Sequence, residues 1–267
     1  MKYHNHKIMM FICATAFSVT ACSNSNSFSD PIDFETPSEA PNPIPTQGTA
    51  KTFTTTADGT YSLAEGEAKL FDGVSMAPTT IEIDKNKKFQ TIDGFGYAIT
   101  YSSCYNLMKM NPEARLALLK RIYSTTEGYG VSYARISLGC NDFSSTEYTY
   151  CDKKGSENDP ISNFELYSDE NNYVIPILKE ILSINPSLKI IAAPWTCPKW
   201  MKVADIDTKT PKDSWTDGHL NPDYRETYAK YFVKFINVMK EKGINIYAVS
   251  PQNEPLNKAN CASLYMP

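Results

Sequence analysis

From Gly94 onward, apolar and polar positions repeat in a strand-then-helix alternation. The runs "GFGYAIT" (94–100), "SYARISL" (132–138), "LKIIAAPW" (188–195) and "INIYAVS" (244–250) predict four strands. The third is unbroken, as in a strand buried on both faces. Between the runs the period changes. Asn111-Pro112 predicts a helix start, with Asn as N-cap, Pro at the first helical position, and Leu118, Leu119 and Ile122 on the apolar face. In "NNYVIPILKEILSI" (171–184), Val174, Ile177, Leu178, Ile181 and Leu182 fall at helical spacing, with Pro176 in the first turns. Asn221-Pro222 opens another helix, with Tyr228, Tyr231, Phe232, Phe235 and Ile236 on one side and Gly243 stopping it. Residues 51–92 read as short strands and turns: "TFTTT", "IEID" and "KFQTID", with Asp58-Gly59 and Asp72-Gly73 as turn signals.

Strands that alternate with helices imply a parallel sheet joined by crossovers, an α/β architecture. A doubly wound sheet marks its first turn with a glycine loop that opens a helix on a phosphate. Here "GFG" begins a strand and is followed by more strand residues, so a (β/α)8 TIM barrel fits better. Barrel enzymes place their chemistry where strands end and loops begin. Asn141-Asp142, then Trp195 and Trp200, then Asn253-Glu254 fall at the ends of the second, third and fourth strands.

The N-terminus changes the picture. Lys2 and Lys7 precede an apolar run, Ile8 to Val19, that is too short to span a bilayer. It ends in Val19-Thr20-Ala21-Cys22, which resembles a bacterial lipobox. Residues 1–22 therefore read as a lipoprotein signal, with Cys22 as the lipid-bearing terminus on a bacterial cell envelope. The alternative is an ordinary secretory signal cut near Ala21. Residues 23–50 are rich in Ser, Asn and Pro and read as a flexible tether.

Net charge is −4, which offers no basic face for nucleic acid. After Cys22 five cysteines remain (Cys104, Cys140, Cys151, Cys197 and Cys261), an odd number and no disulfide framework. Cys140 and Cys151 are the nearest candidates for a single pair. His219 is the only histidine beyond the signal, which leaves little for a metal site or a Ser-His-Asp triad. No cofactor is expected.

Glycoside hydrolysis needs two carboxyl groups flanking the scissile bond. One protonates the leaving oxygen, and burial raises its pKa. Glu254 ends an apolar strand, where such burial is expected. Asn253 beside it can hydrogen-bond a sugar hydroxyl, and Pro255 turns the chain away. An aldolase-type barrel would instead need a Schiff-base lysine at a strand end. Lys199 is the one candidate, and it follows Pro198 in a loop.

The blocks "FQTIDGFGYAIT", "SYARISLGCNDFS", "IIAAPWTCPKWMK", "YAKYFVKFINVMKEKGINIYAVSPQNEP" and "CASLYMP" together resemble glycoside hydrolase family 30, in order from Phe89 to Pro267. That family includes lysosomal glucosylceramidase and bacterial β-1,6-glucanases. The resemblance implies a (β/α)8 barrel with an accompanying β-sandwich built from both chain ends. It places part of the sandwich in 51–92 and the first half of the barrel in 93–267. It implies a retaining β-glycoside hydrolase with Glu254 as acid/base, and Asn253 and Trp195 in the sugar subsite. Trp200 and Asp142 match motif positions too. Where glucosylceramidase reads "GGAMTD", this chain reads "GYAITY". Tyr101 thus replaces an aspartate that binds the terminal glucose, which favours β-1,6-glucan or a related glycan over glucosylceramide. The family's nucleophile is a glutamate at the end of a seventh strand. The four strands read here supply none, so the chain reads as truncated after about the fourth strand and inactive alone. A non-catalytic glycan-binding lipoprotein remains an alternative.

Overall fold

A computed structural model describes residues 46–71, 79, 81–259 and 262–267. The lipobox, with Cys22, and most of the tether lie outside them. The chain divides into two compact units, Met1–Thr91 and Ile92–Pro267. Among the described residues no helix is long and apolar enough to cross a membrane.

In the first unit, β1 (Thr46–Thr54) and β2 (Ala64–Phe71) form an antiparallel ladder that runs from Thr46↔Phe71 to Thr54↔Ala64. Their connection is built on Asp58, whose carboxylate accepts from the Thr60 amide at 3.0 Å. Bonds from Thr56 and then Thr60 pull that carboxyl down to about 2. Gly59 follows with φ +75°. The expected strands at 81–84 and 88–93 do not form. That stretch is irregular, with Ile81, Ile83 and Phe89 all more than 70% exposed. β propensity reflects fit to a half-buried pleated surface, and these residues have no ladder partner.

The second unit is a four-stranded parallel sheet in the order β3 (Gly96–Ala98), β4 (Tyr133–Ser137), β5 (Lys189–Ala193), β8 (Ile246–Val249). Between β3 and β4 lie α1 (Tyr101–Lys109) and α2 (Pro112–Tyr123). Between β4 and β5 lies α3 (Ile175–Ile184), and between β5 and β8 lies α4 (Arg225–Glu241). The β5–α4 loop also pairs two short strands, β6 (Lys202–Val203) and β7 (His219–Leu220).

The helices follow their caps. The Asn111 carbonyl oxygen Oδ1 accepts from the Glu113 amide at 2.9 Å and starts α2. Asn221 Oδ1 accepts from the Asp223 amide at 3.0 Å ahead of α4, and Gly243 at φ +83° ends it. Pro176 cannot donate to a carbonyl one turn back, and the preceding turn, Glu170–Val174, is widened to a π-helix. The sequence reading misses α1 altogether. Thr100 caps it, accepting from the Ser103 amide at 3.3 Å, but Cys104 is its sole buried residue. So short an apolar stripe carries almost no periodic signal.

Ala134, Ile136, Ile190 and Ala192 turn outward into one core with Leu119, Tyr123, Ile177, Leu178, Ile181, Tyr231 and Phe235 of the helices. The alternate residues of β4 and β5, including Arg135, lie on the sheet's other face, where Tyr247 of β8 is 56% exposed. β3 approaches β4 so closely that a Cβ on Gly96 would stand 2.0 Å from the Tyr133 carbonyl oxygen, which explains a glycine there.

Candidate active site

Beyond β8 the main chain stays bonded to β5. The Ser250 amide donates to Ala192 O at 2.9 Å and the Asn253 amide to Pro194 O at 2.8 Å. Asn253 is thereby carried to the level of Trp195. Gln252 reinforces the junction from a buried position. Its Nε2 donates to Trp195 O at 2.7 Å and to Asn253 O at 2.9 Å.

Arg135 rises from β4 into the same place. Its Nη2 donates to Asn253 Oδ1 at 2.9 Å, and its guanidinium carbon lies 4.9 Å from the Trp195 ring centroid. One cation thus orients an amide and stacks on an indole contributed by two other strand ends. With Oδ1 engaged by Arg135, the Asn253 NH2 is the part of the amide that can still donate. Trp195 is 7% exposed, and its indole N–H has no hydrogen-bond partner among the described residues.

Glu254 follows Asn253 at φ +45°, a left-handed conformation that non-glycine residues adopt rarely and at a cost of about 1–3 kcal/mol. Such strain is met at functional sites. Asn257 closes a turn around it: its Nδ2 donates to Glu254 Oε2 at 2.7 Å and its amide to Glu254 O at 2.9 Å. Glu254 is exposed, so the expected burial is not found. Among the described residues β8 pairs on one side only, and its Tyr247 and Val249 are exposed too.

The other expected site residues have contacts of their own. Asp142 is exposed on a turn that Asn141 organises, the Asn141 Oδ1 accepting from the Phe143 amide at 2.8 Å. Tyr101 opens α1 inside a tyrosine cluster, with ring centroids 5.9 Å from Tyr105 and 5.5 Å from Tyr173. Burial, then the Asp169 charge, raise its hydroxyl pKa. Trp200 is structural in its contacts: its Nε1 donates to Cys151 O at 2.7 Å, and its ring packs edge-on against Tyr224 at 5.2 Å. Cys140 and Cys151 are both buried and are not joined to each other, so that candidate disulfide does not form.

Sequence reasoning missed three groups. Arg135 sits among apolar strand residues, an inner-face charge whose only sequence signal is its place in "YARIS". Gln252 was passed over beside Asn253. Glu170 is buried, accepts from the Tyr148 hydroxyl at 2.7 Å, and is pushed up to about 7, chiefly by burial. Among the described residues no group of three or more His, Cys, Asp or Glu could hold a metal ion.

A parallel β/α sheet with an amide, a guanidinium and an indole gathered at its strand ends, and a carboxylate next to the amide in the chain, is compatible with a barrel glycosidase. The profile of the Glycosyl hydrolase family 30 TIM-barrel domain matches residues 92–263, and the chain belongs to that family. It is 55% identical in sequence to a solved endo-beta1,6-glucanase, BT3312, with a TM-score of 0.70, over 82% of this chain and 45% of that one. It is 30% identical to the endo-1,6-beta-D-glucanase of Neurospora crassa, over 80% of this chain and 45% of the relative. It is 31% identical to the lysosomal acid glucosylceramidase of Mus musculus, over 66% of this chain and 33% of the relative. The chain therefore spans less than half the length of these relatives.

Proposed function

We propose that this chain carries the acid/base half of the active site of a retaining β-glycoside hydrolase acting on β-1,6-glucan. The observation that carries the reading is Asn253, held at a strand end by Arg135, which also stacks on Trp195, with Glu254 next along the chain. Glu254 protonates the leaving oxygen, then activates water in the second step. Asn253 donates to a sugar oxygen, and Trp195 lines the same subsite. Arg135 keeps the two in register. A retaining mechanism requires a second carboxylate beside Glu254. Similarity to the two endo-glucanases supports the substrate class, and the mouse glucosylceramidase marks the competing one. Cys22 anchors the protein to a bacterial membrane through lipid.

Product analysis of the full-length protein tests this. Incubation with β-1,6-glucan should release β-1,6-linked oligosaccharides, with the β-anomer appearing first by NMR. Glucose released from glucosylceramide while β-1,6-glucan stays intact would contradict the substrate assignment.

A further inference from the structure

Lys202 is 2% exposed and makes no ion pair among the described residues. A buried ammonium ordinarily sits against a carboxylate, because its lost hydration must be replaced. Here three neutral acceptors do so. Nζ donates to Ser263 O at 2.8 Å, to Trp215 O at 3.2 Å and to Thr196 Oγ1 at 3.2 Å. The Thr196 hydroxyl spends its own proton on Cys197 O, so it is an acceptor toward Lys202. Three donors thus meet three acceptors on three separate loops.

Those loops border the candidate site. Thr196 directly follows Trp195. Ser263 lies on the segment after Glu254, which returns to it through the Met266 amide bonded to Pro255 O at 2.8 Å. Trp215 lies on the β6–β7 loop, and Ser263 seals that contact: its amide donates to Trp215 O at 2.9 Å, and its Oγ accepts from the Asp217 amide at 2.8 Å.

We propose that Lys202 is a positioning residue, whose ammonium locks the loops after β5 and β8 together and so holds Trp195 and Glu254 in their relative places. This rests on Glu254 being the acid/base. The charge gives the lock its selectivity. Any arrangement that withdraws one carbonyl leaves a buried ammonium proton without an acceptor, a larger penalty than a lost neutral bond.

The test uses three variants of the full-length protein. Lys202→Met keeps the aliphatic stem and removes all three donors. Lys202→Arg keeps charge and donors. Thr196→Val removes a single acceptor and covers the case in which Lys202→Met fails to fold. Each is assayed for kcat and KM on β-1,6-glucan at 25 °C, for melting temperature, and for hydrogen exchange by mass spectrometry. Misplacement of a catalytic group by about 1 Å costs roughly 100-fold in rate. We expect kcat to fall by about 10- to 100-fold in Lys202→Met and less in Thr196→Val, with partial recovery in Lys202→Arg and little change in KM. Exchange should quicken in 211–218 and 262–267 and stay unchanged in α3. Lower melting temperatures with wild-type kcat and wild-type exchange in those loops would overturn the proposal. If wild-type protein hydrolyses no glycan, the glycosidase reading fails. The exchange pattern then decides by itself whether Lys202 locks the loops.

Discussion

Arg135 offers the sharpest perturbation, because one side chain both bonds the Asn253 amide and stacks on Trp195. Replacing it with Met keeps an apolar stem of similar reach and removes the guanidinium. The bond to Asn253 Oδ1, at 2.9 Å, is charge-assisted and part-buried. Such bonds contribute about 1.5–3 kcal/mol. Stacking over Trp195 at 4.9 Å adds about 0.5–1 kcal/mol. If both act on the transition state, the loss is about 2–4 kcal/mol, or roughly 30- to 1,000-fold in kcat/KM. Lys in place of Arg restores charge but not the planar fork, so Arg135→Lys should recover only part of it. A double-mutant cycle isolates the route. If Arg135 acts mainly by orienting the Asn253 amide, then Asn253→Ala in the Arg135→Met background should cost far less than in wild type. The assay is kcat/KM on β-1,6-glucan for the four proteins, with each melting temperature well above that of the assay. Additive effects within about 0.3–0.5 kcal/mol would mean that the two residues act independently. They would refute the account of the junction.

Three further outcomes are expected. Glu170 holds its proton more tightly folded than unfolded, so its contribution is present below about pH 4.5 and is lost as pH rises through about 7. That difference amounts to about 3 kcal/mol. Urea midpoints of wild type should fall from pH 5 to pH 8 relative to those of Glu170→Gln, and parallel curves would contradict it. Trp200→Phe loses the bond to Cys151 O and should cost about 1–3 kcal/mol in urea unfolding while leaving kcat unchanged. Cys22→Ala should shift the protein from the membrane to the soluble fraction or leave an uncleaved precursor; wild-type protein without acyl chains by mass spectrometry would refute the anchor.

Much of the barrel unit is legible from local pattern. Asn111-Pro112, Asn221-Pro222 and Gly243 signal their helix ends through caps and backbone preference, which act within a few residues. The apolar runs at 132–138, 188–195 and 244–250 each contain an observed strand. What fails depends on partners. "IEID" and "KFQTID" have strand composition, yet a strand needs a ladder, and composition does not supply one. α1 is fixed by Thr100 and by packing on the turn before α3, with hardly any apolar stripe of its own. The site divides in the same way. Asn253, Glu254 and Trp195 stand out because unusual residues follow apolar strands. Arg135 is hidden inside a strand, and its role emerges only when three non-adjacent segments meet. Burial of Glu254 could not be read from the strand before it, since burial depends on what packs on both sides of β8, and among the described residues β5 alone pairs with it.

The central claim is that Glu254 is the proton donor, and leaving-group dependence in Glu254→Gln tests it most directly. General acid catalysis contributes about 10²–10⁴-fold where the leaving group needs a proton. Glu254→Gln in the full-length protein should lose about that much on β-1,6-glucan. On an aryl β-glucoside with an activated leaving group the first step should be nearly spared. A burst of phenol should appear, and azide should accelerate turnover by entering the place of the missing base. Equal loss on both substrates, without burst or azide rescue, would show that Glu254 is structural and contradict the account.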